Sequence, residues 1–362
     1  MKTKWVTGLT ATVLMAAMVS ACGTGNTNST SGAGGSTPAP AGYASTGTST
    51  PVKGGKLTLY SPNAAEINNP IIKEFQDRTG IEVQLITGGT GELLKRVQAE
   101  TQNPLGDVFW AGGADSLEAY KQYFEPYKVK EFDKLLPAYV DKTYHWTPFN
   151  ALPMVIMYNK ELVPDVDVPK TWNDLLDPKW KGKIAYADPA KSGSSYTQLV
   201  TMLIAFGKDD GKGWDYAKKL VGNLNGKILS GSSLVQRAVP DKEFALGITL
   251  EDAALRYIEG GSKIGIQYPA EGTSAVPDGA AIIKGGKNPE QAKQFLDFLV
   301  SKDAQELIQK EFKRRSVRSD VSPVEGLPQT KDIKLVNYDF DWAAQNKNDI
   351  IKKFTRMTTG QE

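Results

Sequence analysis

Cysteine and histidine are nearly absent from this sequence, which contains one residue of each type, Cys22 and His145. A single cysteine forms no intramolecular disulfide, and neither a clustered Cys/His metal site nor an H-E-x-x-H motif occurs. A Ser-His-carboxylate triad would need His145, which lies in the aromatic segment YHWTPF, and there is no G-x-S-x-G motif. An enzyme is therefore the weakest functional hypothesis, and no catalytic residue, metal or cofactor is predicted.

The sequence also lacks a large excess of one charge and a long hydrophobic run. The net charge of +2 gives no support to nucleic-acid binding. The apolar stretch Trp5–Val19 is shorter than the roughly 20 residues that a membrane span needs. It follows two lysines and ends in small residues before Cys22. This pattern predicts a signal peptide over residues 1–21.

The residues around Cys22 resemble the lipobox of bacterial lipoproteins, in which this cysteine is lipid-modified and becomes the mature N-terminus. The alternative is a buried or incidental thiol. Residues 22–52 are almost entirely Gly, Ser, Thr, Ala, Pro and Asn, and they have too little apolar surface to fold. We therefore expect a flexible tether with an r.m.s. span of roughly 30 Å. Its lipid would anchor an extracytoplasmic domain to the cell membrane.

The rest of the chain alternates between strand and helix patterns. KLTLYS, IEVQLIT and DVFWAGG are predicted strands, and each precedes a helical segment. This order predicts an α/β fold with mostly parallel sheets flanked by helices. A second series starts at MVIMYNK and ends in one long amphipathic helix from Pro289 to about Phe312. The length favours two lobes, namely 53–150 with 272–362, and 151–271, joined by hinge crossings near 148–158 and 268–284.

Ligands of open α/β sheets bind beyond the carboxyl ends of the strands. Two loops there, TGGTGELL and SGSSYTQL, combine glycines, free N–H groups at a helix start and hydroxyls, which together favour an anion. Ordinary helix capping is the alternative for either loop alone. The presence of one such loop in each lobe favours an anion site. The predicted ligand-binding residues are Ser61, Asn63, Gly89, Thr90, Trp110, Gly112, Ser192, Gly193, Ser194, Ser195, Ser232, Glu251 and Asp252.

Some of these assignments have open alternatives. Glu251 and Asp252 accept hydrogen bonds from sugar hydroxyls or an amine, or they are solvated carboxylates at a helix start. Trp110 packs on a ligand or belongs to the core. Solvent exposure is the expectation for the basic residues Lys191, Lys313, Arg314, Arg315 and Arg318. The alternative is an anion contact for Lys191 and a permease contact for the other four.

Several runs resemble the bacterial extracellular solute-binding proteins, in the branch named after the ferric-binding proteins. These runs are VIMYNKELV, ADPAKSGSSYTQL, GITLEDAA, YPAEGTSAVPDGAAIIKG and NPEQAKQFLDFL. The resemblance covers Lys56 to Arg318 and implies the two-lobed type II periplasmic-binding-protein fold. It also implies that the lobes close over a solute and deliver it to an ABC permease.

The branch includes binders of iron(III), of sugar phosphates and of aminoethylphosphonate. Its iron binders use an adjacent Tyr-Tyr pair, which is missing among the fourteen tyrosines here. The ADPAKSGSSY loop resembles the anion loop of the phosphate and phosphonate binders, which implies a phosphoryl group on residues 192–195 and Thr90. Glu251 would then bind hydroxyls or an amine of the organic part. We expect a monomer that binds a small phosphorylated solute and no nucleic acid. Iron(III) transport, a sensor coupled to a histidine kinase, and an enzyme acting on a phosphate ester are the alternatives.

Overall fold

The structure is a computed structural model that describes residues 54–361. The predicted signal peptide, the predicted lipidation site Cys22 and the predicted tether lie outside the described residues. No helix within residues 54–361 is long and apolar enough to cross a membrane. The helices and strands are, in chain order, β1 (Lys56–Ser61), α1 (Ala65–Thr79), β2 (Glu82–Thr87), α2 (Thr90–Ala99), β3 (Val108–Gly113), α3 (Ala114–Ala119), β4 (Phe124–Glu125), β5 (Thr147–Asn159), β6 (Ile184–Ala187), α4 (Gly193–Phe206), α5 (Lys212–Leu224), β7 (Ile228–Leu229), α6 (Ser232–Ala238), β8 (Leu246–Leu250), α7 (Glu251–Glu259), β9 (Ile264–Gln267), β10 (Ala275–Ile283), α8 (Pro289–Val300), α9 (Lys302–Phe312), α10 (Phe340–Gln345) and α11 (Lys347–Thr358).

The strands form a mixed sheet in the order β2-β1-β3-β10-β5-β8-β6-β7, with β4 and β9 paired to β10 and β5. β1 is parallel to β2 and β3, as the sequence predicts. β10 is antiparallel to β3, and β5 is antiparallel to both β10 and β8. Helices pack against these strands. The predicted α/β fold is confirmed. The sheet is mixed rather than mostly parallel, because β5 and β10, which lie at its centre, pair antiparallel with their neighbours.

Strand β5 carries the chain from one half of the sheet to the other. Its residues 147–153 pair with β10, whereas Met154–Asn159 pair with β8 and β9. All but Tyr158 of its side chains are buried, so packing on both faces fixes the crossing. The predicted crossing near 148–158 therefore corresponds to β5, and the predicted crossing near 268–284 contains β10 and the segment that leads into it.

Apolar side chains form separate cores in the two lobes. Leu59, Trp110 and Phe295 belong to the first core. Ile156 and Leu246 belong to the second core. In each case, strand residues that alternate across the sheet meet the apolar face of a helix.

The predicted long helix from Pro289 to Phe312 is interrupted in the structure. Ser301, between α8 and α9, has an extended backbone with φ −60° and ψ 148°, and its hydroxyl donates to the Phe298 carbonyl across 2.8 Å. The break redirects the chain, and Leu299 of α8 and Ile308 of α9 both reach the first core.

The C-terminal helices differ from the predicted division into lobes, which places residues 272–362 in the first lobe. Ala343, Ile350 and Phe354 lie in the second core. Phe340 packs instead on an apolar cluster of the first lobe. The C-terminal segment, defined here as residues 336–361, therefore contacts both lobes.

Candidate functional site

A cleft of about 260 Å³ lies where strand-end loops of the two lobes converge. Two of these loops are named here: the lobe-1 loop, residues 87–91, and the lobe-2 loop, residues 188–195. The predicted ligand-binding residues that line the cleft are Asn63, Gly89, Thr90, Gly112, Ser192, Gly193, Ser194, Ser232 and Asp252.

The lobe-1 loop leads into the first turn of α2, and its residues Gly89 and Thr90 line the cleft. Gly89 precedes the first helical residue, Thr90, and its N–H donates to the Glu92 carboxylate across 3.4 Å. The N-terminus of a helix carries partial positive charge and N–H groups without a partner in the helix. Thr90 lines the cleft at this point and adds a hydroxyl that contributes a donor.

The lobe-2 loop leads into the first turn of α4, with Ser192 as the N-cap of that helix. The Ser192 hydroxyl accepts a hydrogen bond from the Ser195 N–H across 3.3 Å and lies 3.1 Å from the Ser194 hydroxyl. Ser192, Gly193 and Ser194 line the cleft. Ser195 does not: it is buried, and its carbonyl accepts a hydrogen bond from the Tyr186 hydroxyl at 2.7 Å. Ser195 therefore holds the loop in place rather than facing the cleft.

Ser61 also lies behind the cleft instead of lining it. Its buried hydroxyl donates to Asn68 at 2.9 Å and accepts from the Asn63 N–H at 3.2 Å. These bonds position Asn63, which lines the cleft and whose Nδ2 has no partner among the described residues.

Trp110 belongs to the core rather than to the cleft. Its side chain is 0% exposed, and its ring lies 5.9 Å from the ring of Phe149 and 5.3 Å from that of Phe295. The predicted alternative of a core tryptophan therefore describes its position. Gly112, two residues later, lines the cleft with φ 98°, a left-handed conformation that favours glycine.

Glu251 and Asp252, at the start of α7, point to different surroundings. Glu251 is buried outside the cleft lining, and the Arg315 guanidinium binds both of its carboxylate oxygens at 2.7 and 2.8 Å. The Tyr268 hydroxyl donates to the same carboxylate. Its oxygens are thus engaged within the protein, away from the cleft.

Asp252 lines the cleft between two arginines. Its Oδ2 accepts from Arg256 at 2.7 Å and from Arg314 at 3.0 Å, whereas its Oδ1 has no partner among the described residues. Burial by itself would raise the pKa of Asp252, but the charges of Arg314 and Arg256 outweigh it and hold this pKa below its ordinary value. Asp252 is therefore an ionised acceptor with one free oxygen.

The expected exposure of the basic cluster is wrong for its three arginines. Arg314, Arg315 and Arg318 are 4%, 5% and 4% exposed, respectively. Arg314 lines the cleft, bonds Asp252 and Asn63, and keeps an Nη1 atom without a hydrogen-bond partner in residues 54–361. Arg318 instead binds Asp320 and the Val300 carbonyl, away from the cleft.

Asp278 of β10 is a second carboxylate of the cleft that the sequence analysis missed. Burial raises its pKa to about 6, although the charge of Arg314, 3.8 Å away, acts in the opposite direction. Strand β10 reads as an ordinary apolar strand with a Pro-Asp-Gly interruption, and no sequence signal places that aspartate beside a loop of the other lobe.

Several other residues complete the site. Lys191 lines the cleft, as do Ser230, Gly231, Ser233, Gln236 and Arg256. His145 is not among the lining residues and packs in a turn with Asp141 and Thr143. Within the described part of the chain, no group of three or more His, Cys, Asp and Glu side chains is arranged to hold a metal ion.

Two α/β lobes around a cleft lined by helix-opening loops define a two-lobed ligand-binding protein. The family described as "Bacterial extracellular solute-binding protein" matches residues 70–334, and the chain belongs to this family. It is therefore an extracytoplasmic protein that binds a small solute for ABC transport.

Known relatives carry names that point to more than one solute. The chain is 28% identical to iron uptake protein A1 of Synechocystis over 71% of this chain and 74% of that protein. It is 26% identical to a putative 2-aminoethylphosphonate-binding periplasmic protein of Salmonella typhimurium, over 69% and 73% of the two chains. The structure of AfuA from Actinobacillus pleuropneumoniae with fructose-6-phosphate matches with a TM-score of 0.79 and 26% identity, over 84% of this chain and 99% of that chain.

Proposed function

We propose that the cleft binds a small phosphorylated organic solute, a phosphate ester or a phosphonate, and that the protein delivers it to an ABC permease. The observation that carries this proposal is the meeting of two hydroxyl-bearing, glycine-containing helix starts from opposite lobes in one cleft. Each helix start offers N–H donors and partial positive charge to an oxyanion. Thr90, Ser192 and Ser194 add hydroxyl donors.

Arg314 strengthens the case for an anionic group. Its Nη1 makes no hydrogen bond within the described residues and has only Asp278 Oδ2 at 3.8 Å, and the side chain is 4% exposed. Leaving a buried donor unpaired costs free energy, and a phosphoryl oxygen would satisfy it by a charge-assisted bond. Lys191 and Arg256 also line the cleft, which gives it three cationic side chains against the two carboxylates, Asp252 and Asp278.

The two carboxylates suit the organic part of the solute. Asp252 Oδ1 is an acceptor without a partner among residues 54–361, and Asp278 lines the same cleft. Carboxylate oxygens accept hydrogen bonds from hydroxyls or an ammonium group but repel a phosphoryl group. A sugar phosphate or an aminophosphonate combines both kinds of group.

Iron(III) is the second candidate solute. The similarity to the Synechocystis iron uptake protein favours it. Asp252 and Asp278 are hard oxygen ligands in the cleft. Such binding would need further ligands from the solute itself, as in ferric citrate.

A thermal-shift panel on the full chain separates these candidates. It contains fructose 6-phosphate with fructose, aminoethylphosphonate with ethanolamine, inorganic phosphate, and ferric citrate. A ligand at 1,000 times its Kd stabilises the folded state by about 4 kcal/mol, a rise of several degrees in Tm. A rise with a phosphorylated compound and none with its phosphate-free counterpart supports the proposal. A rise with ferric citrate alone contradicts it.

Two hydroxyl groups provide the mutational test. We expect Ser194→Ala combined with Thr90→Ala to weaken binding of the identified phosphorylated solute by about tenfold or more, because each lost bond to a charged group is worth about 1.5–3 kcal/mol. The Tm of the ligand-free chain should change little. Ser322→Ala, at an exposed serine outside the cleft, is the control, and isothermal titration calorimetry is the measurement. Unchanged affinity in the double variant rules out this site.

We further propose that Cys22 carries the lipid that anchors the protein to the cell membrane. The lipobox-like sequence before Cys22 and the Gly/Ser/Thr-rich segment after it support this assignment. Cells fed a labelled fatty acid should incorporate the label into the wild-type chain and not into Cys22→Ser. Equal labelling of both chains would show that the lipid is elsewhere.

A further inference from the structure

The lobe-1 loop and the lobe-2 loop touch each other directly at one edge of the cleft. The Gly91 N–H points at the Lys191 carbonyl across 3.5 Å. This contact joins the first turn of α2 in one lobe to the residue before the N-cap of α4 in the other. It connects backbone to backbone and needs no side chain from Gly91.

Three glycines leave the space in which this contact forms. A Cβ atom on Gly89 would lie 2.7 Å from the Lys191 carbonyl oxygen, and one on Gly193 would lie 2.9 Å from Thr90 Oγ1. A Cβ atom on Gly91 would come closer still to the Ala190 carbonyl oxygen. In all three cases the obstructing atom belongs to the opposite lobe, and at Gly89 and Gly91 it is a backbone atom that no rotamer change can move.

The backbone conformation of these glycines does not itself require glycine. None of the three is among the described residues with a positive φ, and Gly91 lies within the helix α2. Gly193 lies within α4, and alanine fits a helical backbone better than glycine does. At Gly91 and Gly193 the need for glycine therefore comes from the other lobe, whereas Gly89 is also an N-cap, a position that favours glycine over alanine.

We infer that Gly89, Gly91 and Gly193 are positioning residues for closure of the cleft. Their missing side chains let the two loops meet, and a side chain at Gly91 holds the lobes apart without harming either lobe. This inference rests on one part of the proposed function, namely that the solute binds between the two lobes. It does not depend on the solute being phosphorylated. A ligand that binds only the closed form has an apparent affinity proportional to the fraction of molecules that are closed. A smaller closed fraction therefore weakens binding.

The test compares Gly91→Ala with Gly222→Ala in the full chain. Gly222 lies in α5, and a Cβ atom there would meet nothing within 4 Å, so it is a matched helical glycine without an interlobe neighbour. We expect Gly91→Ala to weaken binding of fructose 6-phosphate at least about tenfold in calorimetry. We expect Gly222→Ala to bind like the wild type. Neither variant should lower the Tm of the ligand-free chain.

Hydrogen exchange gives a second measurement that reports on closure. Saturating fructose 6-phosphate should slow exchange in residues 88–91 and 190–194 of the wild type, and less so in Gly91→Ala. Wild-type affinity in Gly91→Ala, or a lower Tm of its ligand-free chain, overturns the inference. If only ferric citrate binds the wild type, the phosphoryl proposal fails, and the same comparison with ferric citrate still decides whether Gly91 governs closure.

Discussion

Asp278 is a residue of the cleft whose charge state depends on its surroundings. Burial raises its pKa to about 6, against an ordinary value near 3.9 in an unfolded chain. Between these two values the folded chain holds a proton that the unfolded chain has lost. The contribution of Asp278 to stability is therefore most favourable below pH 4, declines as the pH rises, and is constant above the folded-state pKa.

Asp278→Asn should remove this pH dependence. Relative to the wild type, the variant should gain unfolding free energy between pH 4 and pH 7, by up to about 3 kcal/mol. Urea unfolding at a series of pH values measures the difference. Asp165→Asn, at an exposed position in a turn, is the control. A constant difference between Asp278→Asn and the wild type would show that Asp278 ionises normally in the folded chain.

The helix-start hydroxyl groups of Thr90, Ser192 and Ser194 were predictable from the sequence, and the arginines of the cleft were not. Ser192 and Ser194 follow a strand and open a helix, so local pattern alone places them at a strand end. Arg314 follows the end of α9, and its position depends on a long-range contact, the bridge between Ala151 and Arg315. Helical periodicity carries no information about such a contact. Long-range contacts also separate Glu251 from Asp252. The sequence predicts the same role for these two adjacent carboxylates, but in the structure they have different partners.

At the level of elements, α7 of the second lobe is tied to the chain that follows α9 of the first. Two successive carboxylates pair with two successive arginines, Glu251 with Arg315 and Asp252 with Arg314. The Arg315–Glu251 pair is buried and bidentate, with side chains 6% and 1% exposed. Buried charges of this kind are costly to leave alone, because the remaining partner has lost its hydration.

Arg315→Met should therefore destabilise the chain by about 3–5 kcal/mol, since it leaves Glu251 buried without its partner. The double variant Arg315→Met with Glu251→Gln should recover a large part of this loss. Denaturant unfolding of the two single variants and the double variant gives the coupling energy. The pair Lys242–Glu161, with side chains about half exposed, is the control, and its removal should cost less than about 1 kcal/mol. Equal losses from both pairs would contradict a buried, desolvated Arg315–Glu251 pair.

Element boundaries were predictable where local signals exist. Gly80, with φ 69°, ends α1 where the sequence predicts a stop. The break at Ser301 has no proline or glycine beside it, and the apolar pattern continues through it, so the sequence predicts one helix. The break is set by the first core, which both α8 and α9 must reach. Tertiary packing therefore decides this boundary.

At the scale of the whole molecule, the C-terminal segment connects the two lobes through buried polar contacts. Lys347 Nζ donates to the Ser116 hydroxyl of the first lobe at 2.8 Å and lies 3.6 Å from the ring centroid of Tyr196 in the second. Beside it, Asp115 accepts from Thr197 at 2.8 Å and from Tyr338. The order of strands and helices along the chain did not predict this link. The C-terminal segment contains no strand, so no sheet pairing indicates which lobe it contacts.

The ammonium group at this junction gives the last prediction. Burial lowers the pKa of Lys347 to about 8, while the charge of Asp115 acts in the opposite direction. An unfolded lysine has a pKa near 10.4. Between these values the unfolded chain binds more protons than the folded chain. The contribution of Lys347 to stability therefore improves as the pH rises from about 8 to 10, and its cost is fully present below pH 8.

Lys347→Met removes this titration, so the wild type should gain unfolding free energy relative to the variant between pH 8 and pH 10. Urea unfolding at pH 7, 8.5 and 10 measures the trend, with Lys352→Met, at an exposed position of the same helix, as the control that should show none. Parallel pH profiles for Lys347→Met and the wild type would mean that Lys347 is solvated in the folded chain. Because Lys347 touches both lobes, such a result would also remove the polar tie that we assign to the C-terminal segment.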